Sequence, residues 1–172
     1  MTNTTPIHIE TERKFLIKKP DEEELLRQPG CIKTQITQTY LICQEHVTER
    51  IRKRVFPDST VYTHTVKQRI SPMSSVETET VISPEEYKEL KQRRDPKRRR
   101  IKKLRYVLPC GGHIAEIDVY PFWERQAIME IELGDEAESF ELPGCVSVIR
   151  EVTGDKAYSN NSISRKIPDE DE

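Results

Sequence analysis

The sequence has few of the residues that fill a large hydrophobic core. Hydrophobic residues make up only 34% of its 172 residues and aromatic residues 6%, whereas typical domains have about 45–50% apolar residues. Another 34% are charged, yet 28 basic and 30 acidic side chains leave a net charge of only −2. A chain of this length is most simply one domain, and its charges recur within β-type segments. We therefore expect a folded domain with an unusually charged interior or groove.

Long apolar runs and paired cysteine motifs are also missing. No run approaches the roughly 20 residues that span a bilayer, and the N-terminus lacks the apolar core of a signal peptide. We therefore expect a cytoplasmic protein with no membrane partner. The near-zero net charge gives no global attraction to nucleic acid. Without CxxC spacing or histidines at zinc-finger distances, we expect four unpaired thiols: Cys31, Cys43, Cys110 and Cys145.

Strand-like runs outnumber helical ones. Residues 7–17 form the first, and seven further β-rich runs follow: TQITQTYLICQ, TERIRKRVF, TVYTHTVKQRI, SSVETETVI, RIKKLRYVLP, HIAEIDVYPF and AIMEIELG. A short helix is expected between Pro20 and Pro29, and a second begins at Ser83, where Pro84 and Glu86 indicate a capping box. We expect a third helix over about 144–152. The domain is predicted to span 1–166, followed by an acidic, disordered tail at 167–172.

Most strands carry a pair of like charges on one face. Successive side chains on a strand point to opposite sides, so residues two apart share a face. Such sets include Glu10, Glu12 and Lys14; Arg50, Arg52 and Arg54; Thr63, Thr65, Lys67 and Arg69; Glu77 and Glu79; Lys103 and Arg105; Glu116 and Asp118; Glu130 and Glu132. An antiparallel sheet with one face in water is the ordinary explanation. Alternatively, the sheet closes into a barrel and the charges line its interior.

The second arrangement suits one kind of ligand. Carboxylates two residues apart on a strand lie roughly 6.5–7 Å apart at their Cα atoms, so their oxygens can converge on one hard cation such as Mg²⁺ or Mn²⁺. Arginine and lysine suit phosphate oxygens. The pattern therefore indicates a carboxylate side for metal and a basic side for a polyphosphate.

The segment ETERK at 10–14 resembles the ExExK signature of the CYTH superfamily, the triphosphate tunnel metalloenzymes. Later segments occur in the same order as in that family: TYL, RIR, THTVK, ETE, KLRY, EIDVY, EIEL and EVTGDKAYSN. The resemblance covers about 7–164. It implies an α+β fold, in which an eight-stranded antiparallel closed β-barrel forms a tunnel with helices packed outside, and it implies a small-molecule triphosphate substrate and Mg²⁺ or Mn²⁺.

The resemblance also implies roles for individual residues. The metal ligands would be Glu10, Glu12, Glu130 and Glu132. The phosphates would be held by Lys14, Arg50, Arg52, Lys67, Lys103, Arg105 and Lys156. Glu79 or Asp118 would orient the attacking water or contribute to metal binding, and Lys14 and Tyr40 complete the candidate catalytic set. Lys156 would lie in a C-terminal segment that closes over one tunnel mouth.

The leading hypothesis is a metal-dependent hydrolase of inorganic tripolyphosphate. A nucleoside or thiamine triphosphatase and an adenylyl cyclase in the same tunnel are alternatives. A non-catalytic binder of polyphosphate or RNA is an alternative from another class, suggested by the run RRDPKRRR at 93–100. Basic residues at a helix end favour a solvated surface there instead, and no aromatic residues interleave with them for base stacking. We therefore expect no nucleic acid partner, and the choice between monomer and homodimer stays open.

Overall fold

The computed structural model describes residues 11–71 and 74–171. Within these ranges the chain is built mainly of antiparallel strands. The first five strands are β1 (Thr11–Lys18), β2 (Ile32–Tyr40), β3 (Val47–Val55), β4 (Thr60–Ser71) and β5 (Ser74–Ile82). The other four are β6 (Ile101–Cys110), β7 (His113–Val119), β8 (Gln126–Leu133) and β9 (Val148–Glu151). The first predicted strand is confirmed from residue 11 onward, and its residues 7–10 lie outside the described part.

The described ranges contain three short α-helices. Helix α1 (Glu22–Arg27) begins at Asp21, whose side chain accepts a hydrogen bond from the Glu24 amide. Helix α2 (Pro84–Leu90) has the predicted capping box, because Ser83 and Glu86 each accept a hydrogen bond from the other's backbone amide. A 3₁₀ turn (Lys91–Arg93) extends α2, a second one spans Lys156–Tyr158, and α3 (Asn160–Ile163) follows. No helix in the described ranges is long and apolar enough to cross a membrane.

The nine strands form one sheet in the order β5-β4-β3-β2-β6-β7-β8-β1-β9. All eight predicted strand runs are present, but the count of eight is wrong because β9 adds to them. Among the described residues the sheet is not closed by hydrogen bonds, and β5 and β9 are its two edges. In the turn between β6 and β7, Gly111 and Gly112 adopt the positive φ angles of 55° and 80° that glycine tolerates best.

The helix expected over 144–152 is wrong, since Val148–Glu151 is a strand. It pairs with β1, where Leu16 lies opposite Arg150. The segment has β-branched residues at Val148 and Ile149, which suit a pleated sheet. Pairing also covers the outer edge of β1, whose backbone groups would otherwise lack partners.

The sheet has two chemically different faces. One, which we call the opposite face, carries the main apolar cluster, including Phe15, Ile17, Ile117 and Met129, and packs against Leu25 of α1. Farther along it, Leu41 and Ile51 pack against Tyr87 of α2. The other, which we call the charged face, carries Glu12, Lys14, Gln38, Arg50, Arg52, Thr65, Lys67, Glu77, Glu79, Lys103, Arg105, Glu116, Asp118, Glu130 and Glu132.

An apolar cluster fills one end of the charged face. Leu16, Ile101 and Ile128 come from the strands, whereas Tyr158 and Ile163 come from the C-terminal segment. Trp123 is almost fully buried in the same cluster. The C-terminal segment therefore closes this end of the face, as the resemblance implied.

The acidic tail differs from the expectation of an unpacked segment. Trp123 Nε1 donates a hydrogen bond to the Pro168 carbonyl at 3.0 Å. The Arg125 amide donates to Glu170 Oε1 at 2.6 Å, and Arg150 Nε lies 2.7 Å from Asp171 Oδ2. Residues 168–171 are thus bound to the loop before β8 and to β9.

Candidate functional site

Strand register aligns the charges across neighbouring strands. Glu12 lies opposite Glu132 and Lys14 opposite Glu130 between β1 and β8. Between β6 and β7, Arg105 lies opposite Asp118. Because all these positions share one side of their strands, the predicted alternation of charged and apolar faces is confirmed, and the charges of both signs meet on one surface.

Asp118 holds two cations of this surface. Its Oδ2 accepts a hydrogen bond from Lys103 Nζ at 2.6 Å. Arg105 binds both oxygens, with Nε 2.7 Å from Oδ1 and Nη2 2.9 Å from Oδ2. Arg105 also pairs with Glu116. The side chains of Lys103 and Asp118 are only 0% and 2% exposed, so this is a buried ion cluster in which one carboxylate fixes two basic groups.

Burial and charge shift the pKa values of this cluster in different directions. Burial acts to raise the pKa of Asp118, but Lys103 and Arg105 outweigh it and hold that pKa well below its ordinary value. Burial lowers the pKa of Lys103 to about 8, since Asp118 offsets burial only in part and Arg105 and Arg52 add repulsion. Lys103 and Arg105 thus face the carboxyl groups of Asp118 and Glu116, and Arg52 adds a third positive charge close to them.

Arg52 is held by a neutral residue that charge patterns do not reveal. Its Nε and Nη2 atoms lie 3.2 and 3.0 Å from Gln38 Oε1, to which both donate. Gln38 Nε2 in turn donates to the Tyr40 hydroxyl at 2.8 Å. Burial, with repulsion from Arg50 and Arg105, lowers the pKa of Arg52 to about 10. Gln38 therefore connects Tyr40 to Arg52.

Arg98 extends this chain of contacts to the C-terminal segment. Its guanidinium carbon lies 3.7 Å from the centroid of the Tyr40 ring. Its Nε donates to Ser164 Oγ at 2.9 Å, and its Nη2 donates to the Asn161 carbonyl at 3.0 Å. Arg98 is 6% exposed, so the interpretation of 93–100 as a solvated helix end is wrong at this position. The run contributes a buried cation that packs on an aromatic ring.

Three of the four predicted metal ligands lie at the other end of the charged face. Glu130 contacts Lys14 Nζ at 3.2 Å, and its carboxyl is in hydrogen-bond contact with Glu12. Burial acts to raise the pKa of Glu130, but Lys14 outweighs it and the pKa lies below its ordinary value. Glu132 faces Glu12 across the strand pair. Glu10 lies outside the described residues.

These carboxylates do not form a ready-made metal centre. In the described part of the chain, no group of three or more His, Cys, Asp or Glu side chains is arranged to hold a metal ion. The donor set still suits a hard cation, because Glu12, Glu130 and Glu132 offer only carboxylate oxygens. Two carboxyls in contact, such as Glu12 and Glu130, also need a shared proton or cation between them.

The other predicted site residues make separate contacts. Glu79 Oε2 accepts a hydrogen bond from Thr65 Oγ1 at 3.0 Å, near the β5 edge. Arg50 Nη2 lies 3.6 Å from Glu77 Oε1, and Lys67 pairs in register with Glu77. Lys156 is exposed at the start of the second 3₁₀ turn. The structure thus brings together Lys103, Arg105 and Asp118, and Lys14 with Glu12 and Glu130.

The fold is similar to those of solved structures. The inorganic triphosphatase NE1496 is 27% identical over 94% of this chain and 98% of its own, with a TM-score of 0.63. The PH1012 protein from Pyrococcus horikoshii OT3 is 19% identical over 74% of this chain and 80% of its own, with a TM-score of 0.51. A candidate adenylate cyclase from Bacillus halodurans is 20% identical over 75% and 82%, with a TM-score of 0.50.

No family model and no curated protein matches the sequence. The likeness to NE1496 nevertheless extends over nearly the whole of both chains. The ordered motifs and the structural comparison agree, and they confirm the resemblance to the CYTH superfamily of triphosphate tunnel proteins. The other two structures are less than 25% identical and show the fold alone.

Proposed function

We propose that the protein is a divalent-metal-dependent triphosphatase whose substrate is inorganic tripolyphosphate, hydrolysed to phosphate and pyrophosphate. The observation that carries this proposal is the excess of buried cations on the charged face. Lys103, Arg105 and Arg52 are three cations that face two carboxylates among the described residues, the buried Asp118 and the partly exposed Glu116. Such an excess is costly unless an anion of high charge neutralises it. The likeness to an inorganic triphosphatase supports this choice.

We further infer that the sheet curls into a tunnel around its charged face. Gln38, Thr65, Lys103, Arg105 and Asp118 are all less than 9% exposed, and they occupy strands at different places in the sheet. Helices α1 and α2 pack on the opposite face, and α3 covers only one end of the charged face. Strands of the same sheet would therefore have to cover these polar groups. Arg52 on β3 is also close enough to Asp118 on β7 for the two charges to interact.

The basic residues and the carboxylates of the charged face would have different roles. Lys103, Arg105 and Arg52 would bind phosphate oxygens. Their N–H groups already donate to carboxylate or amide oxygens, which are acceptors similar to phosphate oxygens. Asp118 and Gln38 would keep these cations oriented, so less rotamer freedom is lost when the substrate binds. Lys14 would bridge the basic end and the carboxylate end.

Glu12, Glu130 and Glu132 would hold Mg²⁺ or Mn²⁺, with Glu10 as the fourth predicted ligand. When bound there, the cation would neutralise phosphate charge and make a coordinated water more acidic. The water oxygen would bond to a terminal phosphorus while the bridging P–O bond breaks and pyrophosphate leaves. Arginine and lysine would stabilise the charge on the equatorial oxygens. Glu79 is a candidate for orienting the water, and Asp118 is better placed as a positioning residue.

Replacing one metal ligand tests this assignment. We expect Glu132→Gln to reduce kcat for phosphate release from tripolyphosphate at least about 100-fold, with the fold retained because this side chain is exposed. Glu136→Gln, an exposed carboxylate in the following loop, is the matched control and should retain wild-type activity. Circular dichroism would confirm that both variants fold. Unchanged activity in Glu132→Gln with Mg²⁺ and with Mn²⁺ would overturn the proposed metal site.

A substrate panel separates the alternatives. Phosphate release would be measured from tripolyphosphate, ATP, thiamine triphosphate and pyrophosphate, each with Mg²⁺ and with Mn²⁺. We expect the highest kcat/KM for tripolyphosphate. Cyclic AMP from ATP would indicate a cyclase, and RNA binding without phosphate release from any substrate would indicate a non-catalytic module.

A further inference from the structure

A second basic pocket lies on the opposite face of the sheet, between the strands and α2. Its charged and aromatic lining consists of Lys53, Lys91, Arg100, Lys102, Tyr62 and Tyr87. None of these residues lies on the charged face. The pocket is therefore separated from the proposed triphosphate site by the sheet itself.

Strand register builds the floor of this pocket. Lys102 on β6 lies opposite Thr37 on β2, Thr37 lies opposite Lys53 on β3, and Lys53 lies opposite Tyr62 on β4. Neighbouring strands are about 4.8 Å apart, so the two lysines lie about 10 Å apart at their backbones. Their flexible side chains can reach one small ligand above Thr37.

Helix α2 and its 3₁₀ extension form the wall. Tyr87 projects from α2, and its ring centroid lies 4.8 Å from that of Tyr62. Tyr87 is 8% exposed, so the two rings form a packed support rather than an open stacking platform. Lys91 follows at the end of the helix, and Arg100 immediately precedes β6. The pocket is thus a recess bounded by a helix, not a strip along the surface.

The four cations of the pocket have no carboxylate partners. Among the described residues, no carboxylate oxygen forms a salt bridge with Lys53, Lys91, Arg100 or Lys102. Nearby, Arg93 pairs with Glu49 at 2.7 Å, so the lack of carboxylates is local. Like charges gathered in this way repel each other unless an anion is present.

Arg100 adds a more specific indication. Its Nε atom is buried and has no hydrogen-bond partner in the described part of the chain. Buried polar groups are nearly always hydrogen-bonded, since an unmade bond costs free energy. An oxyanion in the pocket would supply the missing acceptor. The Tyr62 and Tyr87 hydroxyl groups and Thr37 can supply further hydrogen bonds of the kind that phosphate oxygens accept.

We propose that this pocket is a second anion site, which binds a small phosphate compound carrying two or more negative charges, such as a diphosphate group. Four converging cations and a buried unpaired N–H suit such a group. The recess is bounded by α2, and its two aromatic rings pack against each other, so a compact anion fits better than a nucleic acid strand. The site is independent of catalysis on the charged face.

Site-resolved binding tests the proposal without turnover. The full chain would be labelled at its tyrosine rings and titrated with pyrophosphate in the absence of divalent metal, with Tyr62→Phe and Tyr87→Phe used to assign the signals. We expect the signals of Tyr62 and Tyr87 to shift saturably. In Lys53→Gln/Lys102→Gln, the apparent Kd from these signals should be at least about tenfold weaker. Lys18→Gln, an exposed lysine at the end of β1, should leave it unchanged.

Two kinds of result would contradict the proposed anion site. Absence of saturable shifts at Tyr62 and Tyr87, or equal binding by the double variant, would overturn the proposal. Stronger shifts with a short RNA than with pyrophosphate would replace it with a nucleic-acid surface. If the double variant does not fold, Lys91→Gln at the end of α2 gives the same test with one exposed side chain changed. Loss of triphosphatase activity would not affect these readings.

Discussion

Asp118 is the residue on which the buried cations of the charged face depend. Asp118→Asn would leave Lys103 and Arg105 buried with one fewer negative charge, and the Asn amide cannot accept three charge-assisted hydrogen bonds. We expect the free energy of unfolding to fall by about 3–5 kcal/mol. Urea denaturation of purified wild type and variant would measure it.

Glu116→Gln is the matched control for Asp118. Glu116 lies two residues away on the same face, but its side chain is 33% exposed and forms its salt bridge with Arg105. A partly exposed ion pair contributes little, so we expect a loss of about 1 kcal/mol or less. Equal losses in the two variants would contradict the central position of Asp118.

The sequence predicted which residues share the charged face but not how they pair. Alternation alone places Lys103, Arg105 and Asp118 on one side of their strands. Their pairing depends on register, and a shift by one residue exchanges the faces while the pattern within each strand stays the same. Gln38 was missed for a related reason. A neutral side chain gives no charge signal, and only its position opposite Arg52 identifies it as the acceptor that orients this arginine.

At the scale of elements, Glu49 connects β3 to two neighbours. Its Oε1 lies 2.8 Å from His64 Nε2 on β4, and its Oε2 lies 2.7 Å from Arg93 Nη2 after α2. Burial acts to raise the pKa of Glu49, but Arg93 and His64 outweigh it and the pKa lies below its ordinary value. The carboxylate therefore fastens the 3₁₀ extension of α2 to the sheet.

We expect Glu49→Gln to lower the free energy of unfolding at pH 7 by about 1–2 kcal/mol. The carboxylate has a lower pKa in the folded state, so its contribution is fully present above its unfolded pKa of about 4.3. It is lost as the pH falls through the folded pKa. The difference between wild type and variant should therefore shrink as the pH falls below the unfolded pKa. A difference that does not shrink between about pH 5 and about pH 3.5 in urea titrations would contradict this linkage.

Elements with strong local signals were predicted correctly, and the misassigned one had a weak signal. Helix α2 has a capping box and a proline at its first position, which together mark its start. Strand β9 has only four residues, and so short an apolar run does not distinguish helix from strand. Its structure depends on pairing with β1, which lies more than 130 positions earlier. Long-range contacts of this kind leave no local pattern in the sequence.

At the scale of the whole molecule, the C-terminal segment connects the closed end of the charged face to Arg52, a predicted phosphate ligand. Ile163 is fully buried in the end-filling cluster. The adjacent Ser164 accepts hydrogen bonds from Arg98, which packs on Tyr40. Tyr40 then contacts Gln38, which binds Arg52. A change in the C-terminal segment can therefore reach Arg52 through packed side chains.

Ile163→Ala tests this connection. Removing a fully buried isoleucine side chain leaves a cavity, so we expect the free energy of unfolding to fall by about 2–4 kcal/mol. If Arg98 and Tyr40 position Arg52, this arginine would be less well oriented for binding in the variant. The KM for tripolyphosphate should then rise while kcat changes little. Ile149→Ala, at a 36% exposed position on β9, should cost less than about 1 kcal/mol and leave KM unchanged. A destabilised Ile163→Ala with a wild-type KM would show that the segment only closes the end of the charged face, without positioning its arginines.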